Sequence, residues 1–199
     1  MVDLRIEKTY RALMKAFSEL LEEYRYEDIT VAMLCEKAMI RRTTFYKHFS
    51  DKADFFTFYI NNVRIELLQQ GEEKVGSELE GAEVEPEERA REESYAVLRG
   101  LLDFMLEHET VVNNVFSSSM KGTMLSSIVD SMAEAVKARY GTLDCRQEGS
   151  PATLEEAAEF AAGGIVRLYQ LWWMDGHAEE DEQRLLDSTS HLLYSVMCS

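Results

Sequence analysis

The stretch ITVAMLCEKAMIRRTTFYKHFSDK, residues 29–52, places two short helical patterns around a tight corner. Val31, Leu34, Cys35 and Ala38 recur at helical spacing behind Thr30, a side chain suited to capping a helix start. Met39 and Ile40 break the pattern. In the second run Phe45 and Phe49 form an apolar stripe, and Arg42, Thr43, Tyr46 and Lys47 fall away from it. A guanidinium, hydroxyls and an ammonium on one outward face are what a helix lying in a DNA major groove must present. The stretch therefore reads as helix, turn and recognition helix.

Upstream, Leu4, Tyr10, Leu13, Met14, Phe17, Leu20, Leu21 and Tyr24 keep three-and-four spacing and predict an amphipathic helix of about five turns, the third wall of this unit. Downstream, Ser50 or Asp51 can cap a long helix running through Phe55, Phe56, Tyr59, Ile60, Val63, Leu67 and Leu68 toward Gly71. Residues 71–86, GEEKVGSELEGAEVEP, read as an exposed loop or linker, on three glycines, a proline and a dense acidic run. Helical periodicity resumes over 87–108, in a short helix around 110–116, and over 120–140, which Gly141 closes. After a second loop, an eighth helix is expected to start near Pro151, with Thr153 and Glu156 as an alternative capping box. A ninth runs from Glu179 to Cys198. No segment alternates apolar and polar residues as a half-buried strand does, and two prolines leave the helices uninterrupted. The expectation is an all-α chain of about nine helices: a three-helix helix-turn-helix DNA-binding domain over 1–51 and a larger regulatory and dimerisation domain over 52–199.

The string TTFYKHFSDKADFF, preceded by IRR and by TVAMLCEKA, resembles the DNA-binding signature of TetR-type regulators. The motif match covers roughly residues 8 to 60; beyond it the likeness rests on helix number and length. The resemblance implies roles for particular residues. Arg42, Thr43 and Thr44 lie near the start of the recognition helix; Arg42 can bond bidentately to guanine, and Thr43 can touch a thymine methyl. Tyr46, His48 and Lys52 fall at positions that hold backbone phosphates, Lys52 helped by the positive end of the fourth helix. Lys47 occupies a variable position, able to contact base or phosphate, and Thr30 completes the DNA-binding set. Two residues depart from the pattern: Met39 stands where a glycine is usual, and Arg41 replaces a small capping residue, adding a contact of its own. The resemblance further implies a cytoplasmic repressor that binds a palindromic operator as a homodimer through its two C-terminal helices. A small-molecule effector would release it by shifting the fourth helix and moving the paired readers off a spacing of about 34 Å. The alternative it leaves open is a co-activator or adaptor of the same fold that acts through protein partners.

A net charge of −16 argues against a polyanionic partner until its distribution is considered. Residues 1–54 hold ten Lys/Arg and ten Asp/Glu, whereas residues 55–199 hold eleven against twenty-seven. Between Lys37 and Lys52 five basic side chains face one acid, a local footprint for phosphate. Cys35, Cys145 and Cys198 are far apart and lack metal-ligand spacing, and neither an export signal nor a run of about 20 apolar residues is present, so reduced thiols in the cytosol are the default expectation. Four scattered histidines and the absence of HExxH, GxSxG or phosphate-loop patterns give no catalytic, cofactor or metal reading. Methionine adapts to irregular apolar ligands, and Phe104, Met105, Phe116, Met120, Met124, Tyr169 and Trp172 are the candidate effector contacts.

Overall fold

The structure, a computed structural model, describes residues 4–78, 83–119, 121–145 and 150–198. Nine α-helices and two 3₁₀ turns account for the regular structure among them, with no strand. The helices are α1 (Leu4–Glu23), α2 (Val31–Lys37), α3 (Arg42–Phe45), α4 (Lys52–Glu78), α5 (Pro86–Glu107), α6 (Glu109–Ser117), α7 (Lys121–Tyr140), α8 (Leu154–Met174) and α9 (Glu182–Met197). The fold is all-α, with an N-terminal helix-turn-helix arrangement and a larger helical part. No helix among the described residues is long and apolar enough to cross a membrane.

The chain divides into two compact units. The first comprises Met1–Asn61 and Glu107–Met124. Its interior is built on aromatic edges: Phe17 meets Phe55 at 5.3 Å and Tyr59 at 5.1 Å between centroids, and Phe49 meets Phe55 at 5.0 Å, all near-perpendicular. Such T-shaped pairs add to simple burial, and Phe17, Phe45 and Phe55 are fully buried. Helix α6 packs on α1 within this unit. Asn114 of α6 donates its amide to the Leu21 carbonyl at 2.6 Å and the Tyr24 carbonyl at 3.3 Å, occupying groups that the end of α1 would otherwise leave unpaired.

The second unit comprises Asn62–Leu106 and Leu125–Ser199. Here the expected loop over 71–86 is corrected: α4 continues through Gly71 and Gly76 to Glu78, with Val75 buried. Gly71 is a contact point and does not terminate the helix, since a Cβ built on it would lie 2.8 Å from Val97 Cγ2 on α5. The start of α8 follows the capping box, not Pro151: Thr153 Oγ1 accepts from the Glu156 amide at 3.1 Å, and Glu156 accepts from the Thr153 amide at 2.7 Å. Helix α8 buries Ala157, Ala158, Ala161, Ala162, Ile165, Tyr169, Trp172 and Trp173, and α9 packs along it with Leu185, Leu186, Leu193 and Met197 inward. The expectation of reduced thiols is corrected too, because Cys145 and Cys198 are joined by a disulfide, while Cys35 is free and buried. The pair lies 53 positions apart in sequence, and spacing rules detect only local cysteine patterns.

Candidate nucleic-acid interface

Thr30 caps α2 through its hydroxyl, which accepts from the Met33 amide at 3.2 Å. The helix ends in a Schellman geometry. The Ile40 amide donates to the Cys35 carbonyl at 2.9 Å and the Met39 amide to the Glu36 carbonyl at 3.0 Å, with Met39 at φ +54°. The turn thus keeps the form a glycine would give it, with a methionine held in the left-handed region and its side chain 92% exposed. Arg41 stands at the N-cap of α3 in extended backbone, and its side chain makes no capping bond. Helix α3 is a single turn, Arg42–Phe45, continued by tight turns that carry the His48 and Phe49 amides back to the Phe45 carbonyl. Phe45 and Phe49 point into the unit and are buried.

Opposite that stripe, Arg41, Arg42, Thr43, Tyr46 and Lys47 are exposed, as is Thr30, while Thr44 is half-buried. No salt bridge among the described residues engages Arg41, Arg42 or Lys47. His48 is half-buried, its Nδ1 paired with the Tyr10 hydroxyl at 3.2 Å and its ring edge-on to that tyrosine. The remaining two lysines of the basic run face the protein. Lys37 pairs with Glu23 at 3.0 Å and Glu19 at 3.5 Å on α1, which raises its pKa, first through the hydrogen bond to Glu23. The Lys52 ammonium donates to the carbonyls of Tyr26 (2.5 Å), Ile29 (2.6 Å) and Glu27 (3.5 Å) and sits 4.2 Å above the Tyr26 ring. Burial pushes its pKa down, against the pull of Glu27 and Asp28. Lys52 therefore clasps the 3₁₀ turn Tyr26–Asp28 to the start of α4. Nothing in the spacing of the sequence signalled this, because its acceptors are main-chain atoms. The outward cationic set is Arg41, Arg42 and Lys47.

The effector candidates fall in both units. Phe104, Met105, Tyr169 and Trp172 lie in the second and Phe116 and Met124 in the first, so neither unit gathers the set. Met105, Met124, Tyr169 and Trp172 are buried, and Phe104 and Phe116 half-buried. Tyr169 donates to the Leu98 carbonyl at 3.0 Å and Trp172 to the Ala178 carbonyl at 3.3 Å, bonds that serve the packing of α8. Met120 lies outside the described residues.

No family model matches the chain. Two regulators each match it over 68 residues: the HTH-type transcriptional regulator YxbF of Bacillus subtilis at 35% identity, and the HTH-type dhaKLM operon transcriptional activator DhaS of Lactococcus lactis at 29%. Each match spans 34% of this chain, but 18% of YxbF and 36% of DhaS, so the chain matches well under half of these relatives. Solved structures extend the likeness over nearly the whole chain. The dihydroxyacetone kinase operon activator DhaS superposes with a TM-score of 0.56 at 16% identity, covering 95% of this chain and 94% of its own. The fatty acid degradation regulator FadR of Bacillus halodurans gives 0.53 at 14%, covering 93% and 94%. The TetR family repressor AlkX of a Dietzia species gives 0.51 at 13%, covering 94% of both chains. The fold is that of the TetR-type regulators. At these identities it is the TetR-type architecture that is shared, and the likeness in sequence rests on the matches to YxbF and DhaS over 68 residues each.

Proposed function

We propose that this chain is a DNA-binding transcriptional regulator whose reader is the domain over residues 1–51. The observation that carries the reading is the outer face of the α2–α3 corner, where Arg41, Arg42, Thr43, Tyr46 and Lys47 stand exposed over a buried Phe45/Phe49 base. Arg42 reads a base edge, Arg41 and Lys47 meet phosphates, and Thr43 and Thr44 approach the groove floor. Lys52 and His48 act from behind the interface, holding the 3₁₀ turn and Tyr10 in place. The protein works in the cytoplasm as a homodimer on a palindromic operator, paired through α8 and α9, and a small apolar effector taken up in the regulatory domain over 52–199 releases it.

The test is a band shift on an inverted repeat from the DNA upstream of its own gene. Arg42→Ala is expected to lose discrimination at one base pair by roughly 1–3 kcal/mol. Lys47→Ala weakens all duplexes alike and flattens the salt dependence by about one counterion. Equal losses on cognate and random duplex for Arg42→Ala would refute its assignment.

A second reading has an observation of its own: two of the five basic side chains between Lys37 and Lys52 are consumed internally, leaving a small cationic face on an acidic chain. In that reading the chain is an adaptor or co-activator acting through another regulator, and it retains no duplex on its own at low salt. DhaS bears the name of an operon activator, so repression and activation are both within reach of this fold.

A further inference from the structure

We infer that Cys145 and Cys198 form a reversible thiol–disulfide site that makes the order of the C-terminal end of α9 depend on the redox poise around the protein. Their Cα atoms are 4.8 Å apart, and both residues are partly exposed, so small thiols and disulfides can reach them. Cys35, by contrast, is buried, and burial pushes its thiol pKa up, which leaves it the inert cysteine of the three. The position of the bond matters more than its presence. The covalent ring it closes runs from 145 to 198 and contains α8 and α9 entire, and no other α-helix.

The two ends of the ring are anchored unequally. On the Cys145 side, the turn after α7 is tied down without the sulfur. Leu143 donates to the Tyr140 carbonyl at 3.2 Å, the Tyr140 hydroxyl pairs with Ser94 at 3.2 Å, and Arg139 is bonded to Glu93 and Glu72. Leu154 Cδ2 lies 3.1 Å from where a Cβ of Gly141 would be, so the start of α8 packs against the same turn. On the other side Cys198 is the C-cap of α9, held by one backbone bond to the Tyr194 carbonyl and by its neighbour Met197, which is buried. The disulfide is thus what fastens a frayable helix end to a fixed post. Breaking it leaves the end of α9 held only by that backbone bond and by the burial of Met197, while the post stays in place, so the last turn opens more readily.

The chemistry is thiol–disulfide exchange with a low-molecular-weight disulfide such as oxidised glutathione. One cysteine thiolate attacks a glutathione sulfur and expels a glutathione thiolate, which takes up the proton the cysteine had lost. The second cysteine thiolate then attacks the cysteine sulfur of the mixed disulfide and releases the other. Two protein thiols and one glutathione disulfide become one protein disulfide and two glutathione thiols, with two electrons passed to glutathione. Excess reduced glutathione runs the steps backward. The site stands independently of any DNA-binding role.

The full chain, equilibrated in glutathione buffers of graded oxidised-to-reduced ratio, is acid-quenched, unfolded, alkylated and weighed. The expected result is a monomer with one alkylated cysteine, Cys35, at the oxidising end and three at the reducing end, reached from either direction. The oxidised form is expected to melt roughly 10 °C higher, with amide exchange over 194–198 slower than in the reduced form. Cys145→Ser abolishes both differences, and Cys35→Ser keeps them. Three alkylated cysteines at every ratio, covalent dimers in place of the internal bond, or a bond that native protein does not surrender to reduced glutathione would each overturn the proposal.

Discussion

Met39 sits at φ +54°, where its Cβ crowds the backbone, and its exposed side chain gains nothing in packing. Met39→Gly is therefore expected to raise stability by about 1 kcal/mol, the relief of left-handed strain less the greater freedom glycine gives the unfolded chain. An unchanged or lower urea midpoint would count against strain at this turn. Tyr26 lies at the other end of the same unit's economy of charge: burial, reinforced by Asp51, pushes its pKa up to about 12 from 10.0. The folded state keeps the phenol proton that the unfolded state loses, so this stabilisation is complete below pH 10 and is lost as pH rises through 12. The change is about 2–3 kcal/mol. Lys52, with its depressed pKa, works in the opposite sense and returns some stability as pH nears its ordinary value of 10.5. Burial raises the Tyr140 and Tyr169 phenols as well, so phenolate absorbance against pH should show several late-titrating tyrosines, one fewer in Tyr26→Phe, and a milder alkaline loss of stability in that variant. Single residues were legible unevenly. Thr30 declared itself as a cap because its partner is three residues on, whereas the carbonyls that hold Lys52 are 23 to 26 residues upstream and belong to no side chain.

At the scale of elements, glycine was the least reliable punctuation. Gly141 closes α7 as read, with its amide bonded back to the Lys137 carbonyl at 2.9 Å, but Gly71 lies inside α4 because α5 passes too close for a side chain. Gly71→Ala sets a gain in helix propensity of about 1 kcal/mol against overpacking of roughly 1–3 kcal/mol on a stiff, branched Val97. The net expectation is a loss of about 1 kcal/mol, turning into a gain when Val97→Ala is made first. Additive thermal shifts across the four proteins of that cycle would show that Gly71 and Val97 do not compete for space. Helix α3 posed the reverse problem. Its apolar stripe, Phe45 and Phe49, was plain, but that stripe is carried by one helical turn followed by tight turns, and periodicity alone does not distinguish these from a longer helix.

At the scale of the whole molecule, a largely apolar exposed stripe stands out among the described residues. Phe160, Gly164, Arg167, Leu171 and Met174 form a stripe along α8 opposite its buried face, with Phe160 73% and Met174 65% exposed, and Leu192 is exposed on α9. Gly163 and Gly164 have open space beyond them, room for a second helix to approach. If the proposed dimer pairs through this stripe, Leu171→Glu is expected to convert it to monomer in sedimentation while its helical content holds; a variant that still sediments as a dimer would move the interface elsewhere. From the sequence by itself came the all-helical class, the corner at residues 38–41, the Phe45/Phe49 base and the basic face above it. All of these depend on neighbours a few residues apart, where the 3.6-residue period and capping chemistry act. The tertiary structure alone decided that Lys37 and Lys52 turn inward, that α4 runs on past Gly71, that α6 joins the first unit, and that Cys145 meets Cys198. Each of those is a contact between residues brought together only by packing, and one-dimensional spacing carries no record of it.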